Sequence, residues 1–284
     1  MIATTYQSAN EFLLKTQKVL EKNEAANNLI LGLCLRLSYF PNLIKTTPYF
    51  ATIMDKDELV LAAVMTPPRQ LVLYSQQPDE SKALRILAQD RHTHHWLVPA
   101  VLGYPPLAKE FAATWANVSG MTYREGMRQR LYELRKVISP PTTPGRLRLA
   151  TENELELVAQ WAFAFQNEAL SGGNLTEARE MAQNRINDQD IYLWEDERPV
   201  SMAARSRPTT HGICISLVYT PPEFRGRGYA TNCVAHLSQL LLDSGRKFCV
   251  LFTDLANPTS NHIYQDIGYA PLCDFTEYVF EGVA

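Results

Sequence analysis

Three prolines and a glycine fall within Ser139–Gly145, close to the midpoint of the 284 residues. Proline lacks the N–H that a helix interior or a central strand needs, so neither can run through this stretch. The segment reads as a linker that cuts the chain into halves of nearly equal length. Each half is long enough to bury a core of its own.

The halves share an order of patterns. Each opens on a capping box ahead of an apolar-periodic run, Ser8 with Glu11 and Thr151 with Glu154. A second helical stretch follows, near 25–39 and 175–187. Strand-like runs come next, at 59–65 and 71–75 in the first half and at 200–205 and 212–220 in the second. Then come a helix (81–90; 228–243), an apolar strand (96–102; 248–254), a short helix starting at proline (106–116; 258–267) and a strand-rich tail. This succession predicts a tandem duplication of one α/β unit, with a single larger α/β fold as the plainer alternative. The expected bounds are 1–138 for the first domain, 139–145 for the linker and 146–284 for the second.

Bulk properties exclude several classes. The formal net charge of -3 gives no electrostatic reason to bind nucleic acid or an acidic membrane surface. Arg124, Arg128, Arg130, Arg135 and Lys136 are locally basic but alternate with Met127, Leu131 and Leu134, as in an element with one solvated face. The five cysteines (Cys34, Cys214, Cys233, Cys249 and Cys273) form no C-x-x-C and read as reduced thiols in a cytoplasmic protein. His92, His94 and His95 lie near Asp90 without the spacing of a metal set, so no metal is expected. The start of the chain has no leader pattern, and the most apolar run, Leu29 to Leu37, is too short to span a bilayer and holds Arg36.

The chemistry points to Ile213–Ala230, where an apolar strand stops at Pro221-Pro222, a short loop carries Gly226 and Gly228, and a helix begins. Glycines let the backbone turn tightly and let a ligand approach. Loop N–H groups and the first N–H groups of a helix together suit a phosphate, and Arg225 and Arg227 add charge there. Alone, a glycine pair is better read as a tight turn with two solvated arginines. Position 231 is Thr, which leaves the dinucleotide fingerprint G-x-G-x-x-G incomplete, and no Gly-Lys-Ser/Thr follows.

The spelling Arg225-x-x-Gly228-x-Ala230 resembles the acyl-CoA pyrophosphate loop of the GNAT acetyltransferases. Downstream, Asn257, Tyr264 and Gly268-Tyr269 resemble that family's second motif, in the right order and about thirty residues on. The resemblance covers roughly Gly145 to Phe280. It implies two tandem domains, each a mixed, mostly antiparallel sheet flanked by helices. It also implies that acetyl-CoA is the cosubstrate, with its acetyl group passing to a primary amine of a small molecule or peptide. Carried over, Leu217, Val218 and Tyr219 would bind the pantetheine arm, and an N–H near Val218 would polarise the thioester carbonyl. Arg225, Gly226, Arg227, Gly228, Tyr229 and Ala230 would hold the pyrophosphate.

Asn257 and Ser260 would contact the rest of the acyl-CoA, although a helix cap explains Ser260 equally well. Tyr264 stands where the family keeps its general acid, and packing on one face of a short helix is the plain reading of the same residue. The family's strand carboxylate is missing from 214–219, which leaves an ordered water or Glu168 as a candidate base, although an exposed helix-end charge explains Glu168 at least as well. That gap supports the alternative of an acyl-CoA-binding sensor without turnover. The first half has no glycine in 71–80 and carries Asp79 and Glu80 where a phosphate would sit, so it is expected not to bind CoA. Exposed sheet edges leave room for a homodimer.

Overall fold

One succession of elements occurs twice in the computed structural model, which describes residues 1–77, 80–169 and 172–282; the side chains of Thr259 and Ser260 also lie outside the described part. The first pass is β1 (Ile2–Tyr6), α1 (Ala9–Leu20), α2 (Asn28–Tyr39), β2 (Tyr49–Asp55), β3 (Glu58–Met65), β4 (Leu71–Ser75), α3 (Ser81–Thr93), β5 (Ala100–Gly103), α4 (Pro105–Ser119) and β6 (Thr122–Leu134). The second is β7 (Arg146–Leu149), α5 (Leu155–Ala169), α6 (Leu175–Asn187), β8 (Ile191–Asp196), β9 (Arg198–Ser206), β10 (Gly212–Tyr219), α7 (Tyr229–Asp243), β11 (Phe248–Asp254), α8 (Pro258–Asp266) and β12 (Ala270–Glu281).

Local chemistry starts each copy as expected. The Ser8 hydroxyl accepts from the Glu11 amide at 3.3 Å, while the Glu11 carboxylate reaches back to the Gln7 amide at 2.9 Å, one residue earlier than the pattern implies. In the second copy, Glu154 accepts from the Thr151 amide at 2.8 Å. Arg148 anchors that same carboxylate, so the cap is tied to β7.

The compact units do not follow the linker. One comprises Met1–Leu131, Arg207–Thr209 and the residues from Leu272 onward; the other comprises Tyr132–Ser206 and Thr210–Pro271. Residues from Leu272 were expected to close the second domain, and they build the first instead. The reason is pairing and packing. Thr276–Val279 of β12 lie antiparallel to Ala100–Gly103 of β5, and the Phe280 amide donates to the Pro99 carbonyl at 2.9 Å. Tyr278 and Phe280 then complete an apolar cluster with Val101, Phe111 and Trp115. Arg130 of β6 grips Asp274 of β12 with two hydrogen bonds, 2.7 and 2.9 Å.

In the first unit β4 and β5 are parallel, and the pairs β1–β2, β2–β3, β3–β4 and β5–β12 are antiparallel. Helices cover both faces. Leu61, Ala63, Leu71 and Leu73 join a cluster with residues of α3 and α4. Ala62, Val64, Val72 and Tyr74 join one with residues of α1 and α2. A strand buried on both faces has no polar alternation, which is why β4 reads as a continuous apolar run. The second unit repeats the layers, with α7 and α8 over one face and α5 and α6 over the other. Its β10 and β11 are parallel, and β7–β8, β8–β9 and β9–β10 antiparallel. No described helix is long and apolar enough to cross a membrane.

Because β12 belongs to the core of the first unit, Phe280→Ala should weaken that unit by about 3–5 kcal/mol. Hydrogen exchange should show faster opening at β4 and β5 with β8 and β9 little changed. The reverse pattern would contradict the assignment.

Candidate functional site

The site begins where two parallel strands part. β10 and β11 pair only through Gly212–Cys214 against Phe248–Val250, although each continues for several residues, to Tyr219 and Asp254. On its other edge β10 pairs Ser216 with Ala204 and Tyr219 with Met202, so Leu217 and Val218 together face the single residue between. This is a β-bulge. It reverses the side-chain alternation: Ile213 and Ile215 pack under α7, whereas Leu217 and Tyr219 pack under α5 and α6. Leu217 takes a φ of 52°, a left-handed conformation that costs a branched residue about 1–2 kcal/mol. Its side chain is buried, and that burial holds the backbone there.

Beyond Tyr219 a short 3-10 turn, Pro222–Phe224, leads to Arg225 and then to Gly226 and Gly228, with φ of 74° and 77°. Residues 225–228 are exposed, and no side chain caps the first turn of α7. A Cβ at Gly226 would meet nothing within 4 Å, so the loop is open at that point. One at Gly228 would lie 2.9 Å from Thr143. The proline-rich linker is therefore packed against this loop. The Asn232 amide nitrogen donates to the Pro141 carbonyl at 3.0 Å, and the Trp194 indole donates to the Pro144 carbonyl at 2.9 Å.

The loop's side chains are engaged with the protein. Arg225 donates to the Thr220 carbonyl at 2.9 Å and to Glu168 at 2.7 Å, and Arg227 donates to the Glu223 carbonyl at 3.2 Å. Tyr229 is buried and gives its hydroxyl to Asp196 at 2.5 Å; Ala230 is half-buried at the start of α7. Glu168, at the end of α5, also accepts from the Tyr219 hydroxyl at 3.3 Å. Sequence reasoning proposed Glu168 without any sign that it would meet Arg225 and Tyr219.

At the end of β11, Asn257 is exposed, its amide donating to the Asp254 carbonyl at 3.0 Å. The side chain of Ser260 lies outside the described residues. Tyr264 is 8% exposed and meets Tyr269 edge-to-face at 6.0 Å. Burial, and then the neighbouring Cys233 thiol, push its phenol above the ordinary tyrosine range, so at neutral pH it is protonated. His262 faces solvent beside Asp266, and His236 is exposed against Trp194.

A network missing from the sequence reading pins this helix. Asn261 accepts from Thr253 at 2.7 Å and from the buried Tyr132 at 2.9 Å, and it donates to the carbonyls of Asp254 and Asn257. Gln265 donates to the Tyr132 hydroxyl at 3.1 Å. An asparagine four residues after Asn257, within α8, was the visible signal; the tyrosine is 129 positions away.

The corresponding place in the first unit is differently made. The β3–β4 register runs unbroken from Leu61↔Ser75 to Met65↔Leu71, and no residue of β4 has positive φ. Glu80 occupies the N-cap position of the following helix without a side-chain capping bond; Asp79 lies outside the described residues. Among the described residues no His, Cys, Asp or Glu group could hold a metal ion.

Comparison with known proteins adds the frame. Residues 195–279 match the family model described as FR47-like protein. A tandem GNAT protein from the clavulanic acid biosynthesis pathway is similar over 99% of this chain and 98% of its own, at 11% identity and a TM-score of 0.60. The fold is that of the GNAT acetyltransferases. An acetyltransferase of the GNAT family from Colwellia psychrerythraea (11% identity, 99% and 100% covered, TM-score 0.58) and a Drosophila protein (13%, 98% and 98%, TM-score 0.71) are similar as well. No curated protein matches. At this identity the likeness is one of fold.

The two glycines should respond differently. Gly226→Ala meets only its backbone conformation and should cost about 1–2 kcal/mol, whereas Gly228→Ala also strikes Thr143. Urea unfolding of the two variants should therefore place Gly228→Ala below Gly226→Ala; equal midpoints would contradict the packing of the linker on the loop.

Proposed function

We propose that the second unit binds acetyl-CoA between β10 and β11 and transfers its acetyl group to a primary amine. The observation that carries this reading is the coincidence of the parted strands, the Leu217–Val218 bulge and the open glycine loop within ten residues of one strand end.

The residues present fit an acyl-CoA. Past Cys214 the edge of β10 toward β11 offers backbone groups to the amides of a pantetheine arm, with Leu217, Val218 and Tyr219 at hand. The N–H groups from Gly226 to Ala230 suit a pyrophosphate. Arg225 and Arg227 add positive charge at the loop, and Asn257 and Ser260 lie on the α8 side. Bound there, acetyl-CoA supplies the activated acyl group.

The protein orients that group and moves protons. An N–H at the bulge, near Val218, would donate to the thioester carbonyl as negative charge develops there. Tyr264, protonated and buried, would give its proton to the departing sulfur. The first unit, with an unbroken β4 and no glycine in 71–80, would not bind CoA, and its part is structural. The acceptor is an amine on a small molecule or peptide.

The test is acetyl-CoA turnover over a panel of amines, read as thiol release. We expect amine-dependent release that falls at least about tenfold in Tyr264→Phe. Tight CoA binding with no amine-stimulated release would replace the enzyme with an acyl-CoA sensor.

A further inference from the structure

The reaction needs a group to take the amine's proton, and residues 212–219 of β10 include no carboxylate. One reaches the end of that strand from elsewhere. Glu168, at the end of α5, lies 3.3 Å from the Tyr219 hydroxyl, one residue beyond the bulge. Its second oxygen takes the Arg225 guanidinium at 2.7 Å. Arg225 also lies over the Tyr219 ring, 5.7 Å from its centroid, so the three side chains form one cluster beside the loop.

We propose that Glu168 is the base that receives the acceptor amine's proton, and that Arg225 masks it until the pyrophosphate of acyl-CoA draws the guanidinium away. This rests on the acyl-CoA reading above. Both partners of the pair are about half exposed, 47% and 48%, and pairs so exposed hold weakly and exchange readily. A pyrophosphate offers more charge and the paired oxygens that a guanidinium fork matches. Arg225 opens the same loop whose N–H groups would hold that anion. Once Arg225 turns to it, Glu168 keeps its bond from Tyr219 and presents its other oxygen to the incoming amine.

The step balances. The amine nitrogen bonds to the acetyl carbon, its proton passes to Glu168, the carbon–sulfur bond breaks, and the sulfur takes the proton of Tyr264. Solvent returns a proton to Tyr264 and removes one from Glu168. Binding order follows, with acyl-CoA first and amine second.

Calorimetric titration of CoA into the wild type, Glu168→Gln, Arg225→Gln and the double variant tests the mask. Losing the competing carboxylate should tighten CoA binding about two- to fivefold. That gain should vanish when Arg225 is already glutamine. A residue that merely braces the loop would weaken CoA binding when replaced. With water as the probe nucleophile, acetyl-CoA hydrolysis should slow at least about tenfold in Glu168→Gln. The proposal is overturned by CoA affinity that is unchanged or weaker in Glu168→Gln, by a gain that persists without Arg225, or by an unchanged hydrolysis rate, including one no faster than buffer. Absence of CoA binding by the wild type is a different outcome, because it removes the acyl-CoA reading itself.

Discussion

The parting of β10 from β11 is the constraint on which the rest of the second unit depends. Two parallel strands that pair for three residues and then diverge open a gap between their facing edges, and buried backbone groups at such a gap are costly unless something polar meets them. The sheet can sustain the opening because each strand is held independently. Ile213 and Ile215 are fixed under α7, Leu217 and Tyr219 under α5 and α6, and Leu251 in the cluster with Ile267 and Tyr269. The bulge lets one strand serve two faces in succession, and the left-handed Leu217 is its local cost. At the far ends of the divergent strands stand the elements a ligand would meet, the glycine loop after β10 and α8 after β11.

The two copies separate what the fold requires from what the site requires. Both have the same ten elements in the same order and the same three layers. Folding needs only the apolar faces, and the first copy retains these. The proposed acyl-CoA site uses the bulge and glycines with positive φ; the β3–β4 register is unbroken and residues 71–80 include no glycine. The last strand of the chain completes the first unit, so the copy without these site features is built around a segment from the chain's other end.

Much of this was legible in the sequence because the signals were local. The limits of β4, α6 and β11 follow from apolar runs and helix periodicity bounded by turn residues, and they agree with the structure. β5 was expected over 96–102 and occupies Ala100–Gly103, since Trp96 packs against Tyr49 from a segment without strand pairing. β1 and β7 escaped notice as short strands with polar or exposed residues, and β8 because Glu195 and Asp196 interrupt its apolar run. The exchange of β12 could not be read, because its alternation suits either sheet equally. The bulge is hidden in Ser216-Leu-Val-Tyr219, which spells an ordinary strand. The Arg225–Glu168 pair and the Tyr132–Asn261 bond join residues 57 and 129 positions apart, and no spacing rule reaches that far.

The central claim is that acyl-CoA enters the second unit at the parted strands and leaves the first untouched. Hydrogen exchange with and without acetyl-CoA tests it most directly. The account predicts new protection at 216–220, 225–231 and 255–264, with the exchange of 71–93 unchanged. Protection confined to the first unit, or none in 225–231 under saturating acetyl-CoA, would contradict it.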